Sequence, residues 1–220
     1  MDFEKARLNM VEQQVRPWDV LNPRVLDVLN EIPREQFTPD EFRNLAYVDT
    51  PIPLGSYEDH QSNMAQPNID GRILQALDVQ EDDLVLEIGT GSGYLTACLA
   101  KLGRHVDSVD INEEFTERAR NNLQALGINN VNLSTGDAAR GWEQKQYYDA
   151  IAITAAMKTI PTSYKKLLKP GGRLFVVTGE PPVMTAHLVT RTGKNSWVTK
   201  DLFETCIEPI IETSKPKFSF

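Results

Sequence analysis

Cysteine and histidine are scarce in this chain. Its 220 residues include two Cys, Cys98 and Cys206, and three His, His60, His105 and His187. The two cysteines lie far apart and make no metal-type pair, so both are expected to be core thiols in a reducing cytoplasm. With the histidines scattered as well, no metal site is expected. No apolar run reaches the about 18 residues of a membrane span. The charged opening MDFEKARLNM lacks the apolar stretch of a secretory signal. Lys and Arg never cluster beyond what one helix face carries, and the net charge is −8. That argues against a nucleic-acid surface, which needs a basic footprint. Internal repeats and low-complexity segments are also missing. What is present is 40% hydrophobic residues, enough for a sizeable core.

The first 45 residues read as helical. Phe3, Leu8, Met10, Val11 and Val15 recur at three- and four-residue spacings on a charged background, and Arg16-Pro17 should end that helix. A second helix begins at Asn22-Pro23, with Asn as cap and Pro at its first position. It carries Val25, Leu26, Val28 and Leu29 and stops before Pro33. Pro39, Pro51 and Pro53 mark loops. EDHQSNMAQPNID (58–70) begins as a polar loop and leads into a helix, PNIDGRILQAL, with Ile69, Ile73, Leu74 and Leu77 inward.

After Asp83 strands and helices alternate. LVLEI, RHVDSVDI, VNLST, YDAIAIT and RLFVVTG read as strands. SGYLTACLAKLG, NEEFTERARNNLQALG and IPTSYKKLLKPGG read as the helices between them. That alternation implies a parallel sheet covered on both faces. MTAHLVTRT and SWVTKDLFET, joined by GKN, form a hairpin, so an antiparallel pair should end the sheet.

The densest chemical signal is LVLEIGTGSGY (84–94). Gly89, Gly91 and Gly93 stand where a strand turns into a helix, the place where a nucleotide-like ligand lies in a doubly wound sheet. The dinucleotide pattern G-x-G-x-x-G would require Gly where Tyr94 stands. Glu87, just before the turn, suits a ligand with an ammonium group. S-adenosylmethionine has one and NAD does not, which disfavours an NAD oxidoreductase. Asp110 ends the next strand and is placed to accept both ribose hydroxyls. Asp137 follows the third strand, where a carboxylate could accept from an adenine amino group or cap a helix.

These segments resemble class I S-adenosylmethionine-dependent methyltransferases. More narrowly, roughly residues 4–205 resemble the protein-L-isoaspartate O-methyltransferase family. ARLNMVEQQVRPWDVLNPRVLDVLNEIPREQFTP is similar to its N-terminal cap, and LAYVDTPIPLG to its lead-in to the active site. VLEIGTGSGYLTACLAKLG resembles its first cofactor motif, and YDAIAITAA with IPTSYKKLLKPGGRLFVV its fourth and fifth strand segments. The resemblance implies a Rossmann-like α/β fold, with a doubly wound, mostly parallel seven-stranded sheet, an N-terminal helical cap and a C-terminal antiparallel strand pair. It implies a single methyltransferase domain over 1–220. The cap and active-site loop would occupy 1–78, the cofactor-binding core 79–180, and the antiparallel strands and tail 181–220. By the same resemblance Gly89, Gly91 and Gly93 would line the cofactor. Asp110 and Ile111 would hold ribose and adenine, Asp137 and Ala138 the adenine, and Thr154 would join them. The family methylates the free carboxylate of isoaspartyl residues in damaged proteins, without a metal, and yields S-adenosylhomocysteine.

One segment departs from the family. Its active-site run reads approximately G-Q-T-I-S-Q-P, whereas here Ala65 stands at the Ser position, before Gln66 and Pro67. The stretch before it is about four residues longer, with Ser62 and Asn63 as nearby polar candidates. The expectation is therefore a protein or peptide substrate bearing an isoaspartyl residue. The alternatives are a divergent paralogue acting on a small carboxylate, and a non-catalytic cofactor-binding module. No nucleic-acid or membrane partner is expected, in a monomer or dimer. Trp18, Trp142 and Trp197 are expected to pack rather than to line a groove, and the tail KPKFSF to fray.

Overall fold

The computed structural model describes residues 1–57, 60–142 and 146–212. The tail KPKFSF and residues Glu58 and Asp59 lie outside the described residues.

The first helix, α1 (Phe3–Met10), is capped by Asp2, whose side chain accepts from the Lys5 N–H at 3.1 Å. It does not stop at Arg16-Pro17. It runs through a π turn, Val11–Val15, into a 3₁₀ turn, Arg16–Trp18, and ends at Asp19 with φ 58°. Proline is tolerated at the start of a helical turn, where its missing N–H has no partner to lose. Helix α2 (Pro23–Glu31) starts as read, with the Asn22 side chain accepting from the Arg24 N–H. Its four apolar positions are buried.

The polar stretch after Tyr57 is not a plain loop. Strands β1 (Ile52–Tyr57) and β2 (His60–Met64) pair antiparallel as a separate two-stranded sheet, from Ile52 opposite Met64 to Tyr57 opposite His60. Helix α3 (Pro67–Leu77) follows, with Ile69, Ile73, Leu74 and Leu77 buried.

The main sheet contains β3 (Leu84–Ile88), β4 (His105–Asp110), β5 (Val131–Thr135), β6 (Tyr148–Ile153), β7 (Leu168–Glu180), β8 (Val183–Gly193) and β9 (Ser196–Thr205). Their order is β5-β4-β3-β6-β7-β8-β9, parallel through β7 and antiparallel thereafter. Helices α4 (Tyr94–Leu102) and α5 (Glu113–Ala125) connect the first strands. Helix α6 (Thr162–Leu167) is shorter than expected and stops before Pro170. The residue before a proline is steered to extended backbone, and Leu168 already pairs with Tyr148 of β6.

Alternate residues of the central strands feed two cores. Val85, Phe175 and Val177 pack with the cap and with α3, while Leu86, Leu174 and Val176 pack with Tyr164 of α6. Both faces are therefore covered, which is why these strands read as continuous apolar runs. The chain leaves β5 and returns to lay β6 beside β3. That reversal opens a crevice at the strand ends, where ligands bind in such sheets.

Candidate active site

A cleft of about 190 Å³ occupies this crevice, and a smaller recess of about 70 Å³ adjoins it. Its floor is made by strand ends: Ile88 and Gly89 at the end of β3, Asp110 and Ile111 at the end of β4, and Thr154 after β6. The hairpin β1–β2 and the residue after it supply Leu54, Ser62, Asn63 and Ala65. Phe115 of α5 and Ala138 close one side, and the segment from Cys206 to Ile211 closes the other.

The glycines divide into two kinds. Gly89 has φ 99°, and a Cβ there would lie 2.2 Å from Thr154 Oγ1; Gly91 has φ 53°, and a Cβ there would meet Leu54 Cδ1 at 3.2 Å. Both line the cleft, so a side chain would fill the cradle. Gly93 does not line it. It starts α4 with φ 85°, and a Cβ would lie 2.8 Å from Ala119 Cβ. Its role is to let α4 and α5 approach.

Asp110 is buried at the cleft floor. Its Oδ2 accepts from the Gly91 N–H at 2.8 Å and its Oδ1 from the Asn112 N–H at 2.9 Å. Burial raises its pKa, and the backbone donors oppose that rise. The carboxylate thus braces the glycine turn and still has lone pairs for ligand hydroxyls. Thr154 Oγ1 donates to the carbonyls of Ile88 or Gly89, at 3.0 and 2.9 Å, tying β6 to the turn.

Glu87 is not brought to the cleft. Its side chain is fully buried, and Oε2 accepts from Thr96 Oγ1 of α4 at 2.5 Å and Ser108 Oγ of β4 at 2.6 Å. Strand alternation aims it away from the ligand side. Desolvation pushes its pKa up to about 8, and Oε1 has no hydrogen-bond partner. Asp137 is half-buried, and its Oδ1 accepts from the Ala139 N–H at 2.9 Å, the capping contact weighed from the sequence. Its neighbours Gly136 and Ala138, rather than its own side chain, line the cleft.

The sequence reading also missed parts of the wall. Cys206 is exposed and borders the cleft, not the core; only Cys98 is a core thiol. The segment it begins is fixed by main-chain bonds between Ala156 and residues Glu208 and Ile210, both at 2.8 Å. Asn63 Nδ2 donates to Glu208 Oε1 at 3.3 Å, joining the hairpin to this segment. No short-range pattern signals a partnership 145 positions apart. None of the three tryptophans lines the cleft, and Trp18 is 40% exposed. Among the described residues, the lining contains no Lys, Arg or His.

These features coincide with similarity along nearly the whole chain. The family model for protein-L-isoaspartate(D-aspartate) O-methyltransferase matches residues 6–215. A Petrotoga mobilis protein-L-isoaspartate O-methyltransferase is 37% identical over 192 residues, covering 87% of this chain and 88% of its own length. One from Methylorubrum extorquens is 36% identical over 210 residues, covering 96% and 90%. A solved protein-L-isoaspartate O-methyltransferase superposes with TM-score 0.81 at 25% identity, over 92% of this chain and 65% of that one. A Plasmodium falciparum structure in complex with S-adenosyl-L-homocysteine shares the fold, with TM-score 0.76 at 18% identity over 93% of this chain and 98% of that one. No helix among the described residues is long and apolar enough to cross a membrane. With a seven-stranded sheet ordered in this way, a glycine cradle at its switch point and a full-length match, the chain belongs to the protein-L-isoaspartate(D-aspartate) O-methyltransferase family.

Proposed function

We propose that this protein transfers a methyl group from S-adenosyl-L-methionine to the free carboxylate of L-isoaspartyl residues in proteins. The observation that carries the reading is the cleft itself. Its floor joins the Gly89–Gly91 cradle to Asp110 at the switch point, and its roof is the hairpin β1–β2 with Ala65 just after it. The residues suit a nucleoside with a positive charge. Asp110 would accept from ribose hydroxyls, Ile111, Phe115 and Ala138 offer apolar contact for a base, and no cation among the described lining residues opposes a sulfonium.

When bound, S-adenosyl-L-methionine supplies a methyl on positively charged sulfur, already activated, and departs as the neutral thioether S-adenosyl-L-homocysteine. A carboxylate acceptor is ionised at neutral pH, so the chain has no proton to remove from it. Its work is alignment. Ser62 and Asn63, both lining the cleft beside Ala65, are the donors assigned here to the acceptor carboxylate. Glu208, which also lines the cleft, accepts from the Asn63 amide and fixes it.

A second reading rests on Ala65, which places no hydroxyl at the roof. A small-molecule carboxylate could then be the acceptor. The deciding experiment incubates the protein with methyl-labelled cofactor and an isoaspartyl peptide, its normal aspartyl twin, or a panel of small carboxylic acids. Labelled ester on the isoaspartyl peptide alone is the expected result. Ester only in the small-acid arm would replace the first reading with the second, and label nowhere would reject both.

A further inference from the structure

The hairpin is held at its base by two arginine side chains that donate to main-chain carbonyls, one on each strand's side. Arg34, from the cap, is completely buried. Its Nε donates to the Ala46 carbonyl at 2.9 Å, its Nη1 to Asp70 Oδ2 at 2.5 Å, and its Nη2 to the Ala65 carbonyl. Its guanidinium also lies over the Tyr94 ring, 4.6 Å from the centroid. Each part of the planar fork is thus engaged, an arrangement that Lys cannot copy. Arg34 lines neither cavity, but Ala65 lines both, and Asp70 and Tyr94 line the inner recess.

Arg118, from α5, holds the β1 side of that base. Its Nη1 and Nη2 both donate to the Leu54 carbonyl at 3.2 Å. The hairpin is irregular at this residue. Pro53 faces Asn63 and Gly55 faces Ser62, so Leu54 is an extra residue with no partner in the ladder. Such a bulge leaves the residue outside the strand pairing, and Arg118 occupies its carbonyl instead. The Leu54 side chain meets Gly91 of the glycine cradle. One arginine therefore sets β1 against the cofactor turn, and the other sets Ala65, the residue that follows β2, against the recess.

We propose that Arg34 and Arg118 are positioning residues that clamp the hairpin over the cleft, so that the acceptor's donors stand in register with the cofactor cradle. The catalytic part of this inference rests on the methyltransferase reading above; the mechanical part does not. A 1 Å misplacement of reacting groups can cost about 100-fold in rate. The test compares the full-length protein with Arg118→Gln, Arg118→Lys and Arg34→Lys. For the activity arm, Arg118→Gln and Arg34→Lys should lower kcat/KM for an isoaspartyl peptide about 10- to 100-fold, mainly through kcat. S-adenosylhomocysteine affinity by calorimetry should stay at the wild-type value in Arg34→Lys. Arg118→Lys, which can still donate once to Leu54, should recover part of the loss. For the mechanical arm, hydrogen exchange of the β1 and β2 amides should quicken in Arg118→Gln and Arg34→Lys while β3 and β6 keep wild-type protection. Wild-type exchange in the hairpin of both variants, or faster exchange there only together with β3 and β6, would overturn the clamp. An inactive wild type would instead overturn the methyltransferase reading, with the exchange arm still deciding the clamp.

Discussion

Ala65 presents a methyl group to a cleft whose neighbours are amides and hydroxyls. A hydrogen bond to a charged group is worth about 1.5–3 kcal/mol, or roughly 10- to 150-fold in rate. Ala65→Ser is therefore expected to raise kcat/KM for the isoaspartyl peptide by about tenfold or more, measured by labelled-ester formation. A fall would mean that the hydroxyl crowds the acceptor instead of serving it. Glu87 gives a second prediction at this scale. Its folded pKa stands near 8, above the ordinary 4.5, because burial disfavours the charge. With the folded value raised, its stabilising contribution is fully present below about pH 4.5 and is lost as pH rises through about 8. Glu87→Gln cannot ionise, so its melting temperature should decline less than that of the wild type between about pH 5 and pH 9. Parallel declines would assign the buried proton elsewhere. The sequence reading places Glu87 beside the ammonium group of a cofactor, but the sequence cannot show which way its side chain points. An acid in a strand reads the same whichever face it takes.

At the scale of elements, the glycine turn does two jobs that a motif cannot separate. Gly91 borders the cleft and meets Leu54, whereas Gly93 is wedged against Ala119 of α5. Gly91→Ala should weaken S-adenosylhomocysteine binding by calorimetry and cost about 1 kcal/mol in urea unfolding from left-handed strain alone. Gly93→Ala should cost about 2 kcal/mol or more in urea unfolding, from left-handed strain and overpacking. If both variants lost only affinity, the packing role of Gly93 would be wrong. The hairpin shows the limit of periodicity. β2 is HQSNM, with Gln61, Ser62 and Asn63 bordering the cleft and only Met64 buried, so no apolar alternation records the strand. By contrast, the apolar positions read on α2 and α3 are all buried, although the first turns of α3 also bury Asn68, Asp70 and Gly71, which no apolar spacing marks.

At the scale of the whole molecule, the cleft is assembled from segments spread between Pro51 and Ile211. Ligand binding to such a site should stabilise the entire fold. S-adenosylhomocysteine at 100-fold above its Kd should add about 2.7 kcal/mol, a melting shift of roughly 5–10 °C for a chain of this size. NAD at the same concentration should leave the melting temperature unchanged. A shift with NAD alone would return the oxidoreductase reading.

The sequence by itself determined the alternating α/β order, the antiparallel end of the sheet and the glycine turn beside Asp110. These are local consequences of side-chain period, proline and glycine geometry, and each is written within about a dozen residues. Only the tertiary structure decided that Glu87 turns inward and that Gly93 serves packing. The same holds for the polar run that pairs as a hairpin, and for the residues from Cys206 to Ile211 that wall the cleft. The arginine grips are decided there too, with Arg34 reaching Ala65 and Asp70, and Arg118 reaching Leu54. Those contacts join residues dozens of positions apart. They form because a buried guanidinium must find acceptors, and the fold alone determines which carbonyls are within reach.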